Sequence, residues 1–338
     1  MAAALLASYD GLVCDLDGVV YRGPDPVPHA VESLDNARTQ GVPTIYATNN
    51  ASRPPAAVAA HLRELGLTLT DDEVINSSVA GAEYLRTQLT DGATVLAVGG
   101  VGVAEALRHN GFEPLTPAQT IEGGRPKLAA VLQGYGPEVT ATDLAEAAYA
   151  IQSGARWVAT NSDLTLPTAV GTAPGNGSLV AAVRNAVTVD PEVVGKPGPL
   201  MYRLAADRLG TTPARTLGIG DRLETDVAGA SAAGMSCLHV LTGVHGPRDL
   251  VAATADLRPR YVAEDLRALH EPYDEPQRDR GGYAVGSLHA RLTGSGDTAR
   301  VEFEGEGGRI ERLRVALRVL WDAIDAGQVT AEDACGLV

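Results

Sequence analysis

Short apolar runs and stretches of helical spacing take turns along most of this chain, and their order predicts a parallel sheet with helices on both faces. Leu12–Leu16 reads as a buried strand. Val27, Ala30, Val31, Leu34 and Ala37 then recur at helical intervals, with Gly41 as the stop. Val42–Thr48 (VPTIYAT) is a second apolar strand that runs out into Asn49 and Asn50. Ser52 and the Pro54-Pro55 pair start a helix that Gly66 ends. A middle block repeats the alternation, with strands expected over Thr94–Val98, Leu128–Gly134 and Trp157–Thr160 and helices over Val103–His109, Asp143–Ser153 and Ser178–Val187. The first pattern resumes near Pro191. A strand leads to Gly195-Lys196-Pro197, followed by a helix over Pro199–Leu209, a strand over Arg215–Ile219, a helix over Thr225–Ala233 and a strand over Ser236–Leu241.

The middle block begins before the first sheet is complete, which makes it an insertion. The expected fold is therefore α/β: a doubly wound, Rossmann-like core of residues 1–79 and 188–270, with an α/β cap domain of residues 80–187 inserted in it. Residues 271–282 are charged and carry Pro272 and Pro276, so a linker is expected there. Residues 283–338 read as a small α+β segment. Strand-like alternation at Tyr283–Leu292 and Arg300–Phe303 precedes a helix with Ile310, Leu313, Leu317, Trp321 and Ile324 on one face. A unit this small needs a partner surface, on the core or on a second copy of the chain, to bury that face.

Composition narrows the partners. The chain has 338 residues and a formal net charge of −15, which argues against nucleic acid or an anionic membrane as its main partner. No apolar run has the length of a membrane span. The first residues carry no base ahead of their short apolar run, so no signal peptide is expected. Cys14, Cys237 and Cys335 are widely spaced, with neither a disulfide framework nor zinc-ligand spacing, and fit a reducing, cytoplasmic setting. Basic residues are arginines except for Lys127 and Lys196, so a lysine between Gly195 and Pro197 calls for a reason.

That reason emerges from the strand ends. Residues i and i+2 of a strand point the same way, so Asp15 and Asp17 leave the first strand as neighbouring carboxylates ahead of Gly18. Such a pair is unfavourable unless a cation or a proton sits between them. Ligands of open parallel sheets collect at the carboxyl ends of strands. The same edge is expected to carry Thr48, Lys196 and Asp221, with Asp226 in the first turn of the helix that follows Asp221. Carboxylates, a hydroxyl and an ammonium suit phosphoryl transfer around a hard cation such as Mg²⁺. One carboxylate can attack phosphorus while another protonates the leaving alkoxide.

Four ordered motifs then carry a family resemblance: DLDGVVY at Asp15–Tyr21, ATNNAS at Ala47–Ser52, VGKPGP at Val194–Pro199 and GDRLETD at Gly220–Asp226. Over about residues 10–270 the chain resembles haloacid dehalogenase superfamily phosphatases of the NagD-like branch, which includes 4-nitrophenylphosphatases and phosphoglycolate phosphatases. The resemblance implies Asp15 as nucleophile and metal ligand. It implies Asp17 as general acid/base with its backbone carbonyl on Mg²⁺, Asp221 as the third protein ligand, and Asp226 behind a metal-bound water. Gly18, Thr48, Asn49, Asn50 and Lys196 are implied to bind phosphate. Asn161 and Asp163, in the cap loop Ala159–Pro167, are implied to read the leaving group. Within the branch the layout is similar to mycobacterial glycerol 3-phosphate phosphatases with an added C-terminal segment. The implied substrate is a small-molecule phosphate ester, glycerol 3-phosphate first, and the implied role is recycling of glycerophospholipid head groups. Phosphoglycolate and nucleoside monophosphates are the alternatives, and a non-catalytic binding protein on the same scaffold is the rival of a different class.

The C-terminal segment carries EFEGEGG at Glu302–Gly308 between a strand and a helix, which partly resembles the pyrophosphate turn of GNAT acetyltransferases. Glu302, Glu304 and Glu306 would repel a pyrophosphate. The segment is therefore expected to dock on the core or mediate self-association, without binding coenzyme A.

Overall fold

The protein is described from a computed structural model that covers residues 3–168, 170–294 and 298–337, the side chains of 167 and 168 excepted. Its chain divides into two compact units, Met1–Thr44 with Leu209–Val338, and Ile45–Arg208.

In the first unit, four parallel strands lie in the order Tyr261–Ala263, Ser236–Val240, Thr216–Gly220, Gly11–Cys14. These strands read as apolar runs because both faces are covered: Leu12, Val13, Cys14, Leu217, Ile219, Leu238 and Val240 are all buried. Register positions the chemistry. Cys14 stands opposite Ile219, and the Asp15 N–H donates to the Ile219 carbonyl at 2.9 Å, so Asp15 leaves its strand beside the end of the Thr216–Gly220 strand and Asp221. The expected helix over Thr225–Ala233 is split. Leu223–Val227 winds as a π-turn, and an α-helix follows over Ala228–Ala233, closed by Gly234 in the left-handed region (φ 84°).

The C-terminal segment belongs to this unit and departs from its sequence reading in two places. The stretch read as a linker contains a strand, Gln277–Asp279, at the edge of an antiparallel sheet that continues through Gly282–Val285, Leu288–Thr293 and Arg300–Glu304. Pro272 and most of its charges face solvent, but Tyr273 accepts the Val262 N–H at 3.0 Å and Glu275 pairs with Arg260 at 2.9 Å. Those two contacts, which the composition hid, tie this stretch down. The run read as one strand over Tyr283–Leu292 is a hairpin turning at Gly286 (φ 56°).

The helix Arg309–Asp325 buries more than the one expected stripe. Val315 and Val319 pack on the sheet with Val285, Leu288 and Ala290. Leu317 and Trp321 are also buried, while Ile310, Leu313 and Ile324 keep partial exposure. Polar contacts fix the docking: the Trp321 indole N–H donates to the Leu250 carbonyl at 2.8 Å, Arg314 donates to the Val262 carbonyl at 2.8 Å, and Arg258 pairs with both oxygens of Asp325. Trp321→Phe keeps most of the apolar contact but leaves the Leu250 carbonyl with only the longer 3.4 Å bond from the Ala253 N–H. It is expected to lower stability by about 1–3 kcal/mol, read by urea unfolding.

In the second unit, Tyr46, Ala47 and Thr48 pair in parallel with Val74, Ile75 and Asn76. A separate five-stranded parallel sheet runs Glu192–Val193, Arg156–Ala159, Ala130–Gln133, Thr94–Val98, Glu113–Leu115. Leu96, Val98, Val131, Trp157 and Ile151 form its core. The edge strand Glu192–Val193 lies past residue 187, so this sheet draws on chain beyond the expected end of the insertion. The loop after Arg156–Ala159 leads into a two-stranded hairpin, Thr165–Thr168 with Gly171–Pro174, and then a helix over Asn176–Arg184. Among the described residues, no helix is long and apolar enough to cross a membrane.

Candidate active site

In the first unit, carboxylate oxygens of Asp15, Asp221 and Asp226 all lie within 4.8 Å of one another. Asp221 and Asp226 are buried, and Asp15 is partly so. The neighbouring backbone shapes the cluster. The Val244 N–H donates to Asp221 Oδ2 at 2.6 Å, and the Arg222 N–H donates to Asp226 Oδ2 at 3.1 Å. Gly220, at the strand end, lies so close to Asp226 that a methyl group there would overlap its side chain. The π-turn thus folds Asp226 back onto the strand end from which Asp221 emerges.

The strand expected over Leu12–Leu16 ends at Cys14, and beyond it Leu16 is fully buried while Asp17 is exposed and is not one of the three converging carboxylates. Gly18 takes a positive φ of 85°, its N–H donates to the Tyr21 carbonyl, and its own carbonyl accepts the Thr242 hydroxyl at 2.7 Å. A side chain at position 18 would strike Asp221. Gly18 therefore lets the turn after Asp17 close against Asp221.

Residues that sequence reasoning missed support Asp221 from the far side. Gly243 presses on the Asp221 carboxylate, and any side chain at 243 would overlap Oδ2. The His245 N–H donates to the Asp221 carbonyl at 3.2 Å, and His245 Nδ1 accepts the Leu223 N–H at 2.9 Å. Buried His239 donates from Nε2 to the His245 carbonyl at 2.9 Å; burial holds its pKa below the usual histidine value, so it works as a neutral brace. The signal was the Thr242-Gly243-Val244-His245-Gly246 run at a strand end, where glycines mark close approach. Gly243→Ala is expected to weaken divalent-cation affinity by about 10–100-fold by displacing Asp221, read by calorimetric titration of Mg²⁺.

Three converging carboxylates, two of them buried, fit a bound cation, which would offset their mutual repulsion. An all-oxygen donor set selects a hard ion such as Mg²⁺ or Ca²⁺ over a soft metal.

The second unit brings Thr48, Asn49, Lys196, Asn161 and Asp163 together. Thr48 is buried at its strand end, where its hydroxyl accepts the Asn50 N–H at 3.1 Å. Lys196 is only 2% exposed, and its ammonium donates to the Ala47 carbonyl at 3.1 Å. The Asn49 amide donates to Asp163 Oδ2 at 3.1 Å and to the Lys196 carbonyl at 3.0 Å, while its oxygen accepts the Lys196 N–H at 2.8 Å. Asn161 donates to the Asn49 carbonyl at 2.8 Å. Behind this loop, Asn176 donates to the Asn161 carbonyl, and Gly175 and Gly177 lie where side chains would collide with the loop backbone. The side chain of Asn50 stands apart from this group. It is exposed and accepts from the N–H and hydroxyl of Ser52, bracing the turn.

The chemistry available is thus a cluster of three carboxylates suited to a cation, with the exposed Asp17 carboxylate nearby in sequence, and a set holding a buried ammonium, a buried hydroxyl and the half-buried carboxylate of Asp163.

Comparison with known proteins adds matches to family models, to two relatives and to a solved structure. A family model described as haloacid dehalogenase-like hydrolase matches residues 12–113, and a related HAD-hydrolase-like model matches residues 193–269. The chain is 42% identical over 328 residues to a D-glycerol 3-phosphate phosphatase of Mycobacterium tuberculosis, covering 95% of this chain and 88% of that protein. It is 34% identical over 239 residues to a 5′-nucleotidase of Bacillus subtilis, covering 71% of this chain and 90% of that protein. Among solved structures, a glycerol phosphate phosphatase from Mycobacterium tuberculosis in complex with magnesium superposes with a TM-score of 0.83 at 39% identity, over 96% of this chain and 93% of that one.

Proposed function

This chain belongs to the haloacid dehalogenase-like hydrolases, and from that membership we propose a magnesium-dependent phosphomonoesterase that hydrolyses glycerol 3-phosphate through an aspartyl-phosphate intermediate. The observation that carries the reading is the Asp15–Asp221–Asp226 cluster at the ends of two adjacent parallel strands. The near full-length similarity to a glycerol 3-phosphate phosphatase supports the choice of substrate.

In this reading Asp15 attacks phosphorus in line and the P–O bond to the leaving group breaks. Asp17 gives its proton to the departing alkoxide, then takes one from the water that attacks the aspartyl phosphate and releases inorganic phosphate. Asp15, Asp221 and the backbone carbonyl of Asp17 would hold the cation, and Asp226 would support a water bound to it. When bound, the cation offsets the repulsion between the Asp15 carboxylate and an anionic ester. The Thr48 hydroxyl and the Lys196 ammonium, with neighbouring backbone N–H groups of the Gly18 and Asn49-Asn50 turns, take the phosphoryl oxygens. Asp163 and Asn161 hydrogen-bond the hydroxyls of the glycerol.

The proposal extends to the rest of the chain. Residues 80–187 form the inserted cap domain, and residues 1–79 with 188–270 the phosphatase core. The C-terminal segment docks on the core or joins two copies, with no part in acyl transfer. The enzyme is cytoplasmic, consistent with three free cysteines.

The test is phosphate release from both enantiomers of glycerol 3-phosphate, phosphoglycolate, nucleoside monophosphates, sugar phosphates and 4-nitrophenyl phosphate, each with Mg²⁺ and with EDTA. Metal-dependent release led by one glycerol 3-phosphate enantiomer is expected. Nucleoside monophosphates ranking first would move the assignment toward the 5′-nucleotidase relative. No release from any ester would leave the binding-protein reading in its place.

A further inference from the structure

Asn49 occupies a crossing of three segments: the strand end at Thr48, the loop Asn161–Asp163 and the turn at Gly195-Lys196. Its side chain grips the backbone of Lys196 from both sides, donating to the carbonyl at 3.0 Å and accepting the N–H at 2.8 Å. That pair fixes the peptide from which the buried Lys196 side chain reaches the Ala47 carbonyl. The amide nitrogen also donates to Asp163, 3.1 Å from Oδ2 and 3.4 Å from Oδ1. Backbone contacts tighten the junction, since the Asn49 carbonyl accepts both Asn161 Nδ2 at 2.8 Å and Ser77 Oγ at 2.7 Å. Gly195 completes it: a methyl group there would strike the Thr160 carbonyl and Asn49 Oδ1. The three segments are in direct contact with no room for a side chain between them.

We propose that Asn49 is a positioning residue that couples recognition of the leaving group's hydroxyls to the placement of Lys196. The inference rests on the phosphatase reading above and deepens it. Asp163 is only partly buried, so hydroxyls of a polyol can approach its carboxylate. A substrate that engages Asp163 orders the carboxylate, which holds the Asn49 amide, which holds the Lys196 peptide. An ester without hydroxyls makes no contact at the first link of that chain. Asn49 would thereby raise the preference for hydroxylated esters without touching the leaving group.

The experiment measures kcat and KM, with Mg²⁺ present, for glycerol 3-phosphate and for 4-nitrophenyl phosphate, whose leaving group has no alcohol hydroxyl to donate. The proteins are the full chain, Asn49→Ala, Asp163→Asn and the double variant. In Asn49→Ala the preference for glycerol 3-phosphate, as a ratio of kcat/KM values, is expected to shrink by about tenfold or more, mainly through kcat. Asp163→Asn is expected to add less than about threefold on that background, because the two residues act as one unit. A merely structural role predicts something else: both substrates lose the same factor and the ratio holds. That result, or simple additivity in the double variant, overturns the proposal. Should Asn49→Ala fail to fold, Asn49→Ser takes its place and is judged by the same ratio. If the wild type prefers another hydroxylated ester, the glycerol 3-phosphate assignment fails, and the ratio taken with that ester decides the coupling separately.

Discussion

Asp15→Asn is expected to lower kcat for phosphate release by about four orders of magnitude or more, the loss typical when a nucleophile is removed. An amide is a poor nucleophile toward phosphorus and a weak ligand for a hard cation, so two functions go with one side chain. The same substitution has a second consequence that no general damage would produce. Asp15, Asp221 and Asp226 crowd three carboxylates within 4.8 Å, and two of them are buried. Removing one charge relieves their repulsion, so the variant is expected to melt above the wild type in EDTA. With Mg²⁺ the order reverses, because the wild type gains binding free energy that the variant has lost. Thermal melts with and without the metal check this; a variant that is less stable under both conditions would mean the carboxylates are not in electrostatic conflict.

Lys196→Ala is expected to cost about 10²–10³-fold in kcat, the range seen when one preorganised donor to a developing negative charge is removed. The side chain is 2% exposed, and the substitution leaves the Ala47 carbonyl without its 3.1 Å ammonium donor. Stability should therefore fall as well, by about 1–3 kcal/mol. The two effects separate in the kinetics of folded protein. Transition-state stabilisation predicts a loss in kcat with both glycerol 3-phosphate and 4-nitrophenyl phosphate, since both present the same phosphoryl group. A change confined to KM would assign Lys196 to ground-state binding alone.

How much of this was legible in the sequence depended on whether a signal was local. Apolar strands buried on both faces announce themselves, so Thr94–Val98 was placed to the residue, and Asp15, Thr48 and Asp221 fell at strand ends as expected. What stayed hidden is set by packing across long separations. The glycines around Gly243 mark a close approach, but not that its target is Asp221, because the contact spans a helix and a strand. The π-turn at Leu223–Val227 was read as ordinary helix, since its sequence carries no proline or glycine to mark the change. The charged stretch after Glu271 looked like a linker because composition averages over Tyr273 and Glu275, the residues that anchor it. Asn49 was legible as a polar residue at a strand end, but its grip on Lys196 and Asp163 joins positions far apart in the chain.

The measurement that tests the central claim most directly is trapping of the phosphorylated carboxylate in Asp17→Asn with 4-nitrophenyl phosphate and Mg²⁺. The nitrophenolate leaves without a proton, so attack by Asp15 proceeds, while loss of the Asp17 base slows water attack on the intermediate. Acid quench, borohydride reduction and peptide mass spectrometry then report the site, because an aspartyl phosphate is reduced to homoserine. Homoserine at position 15, absent when EDTA replaces Mg²⁺, is the predicted result. Nitrophenol release with no reduced residue at position 15, or with the mark on another carboxylate, would contradict Asp15 as the nucleophile.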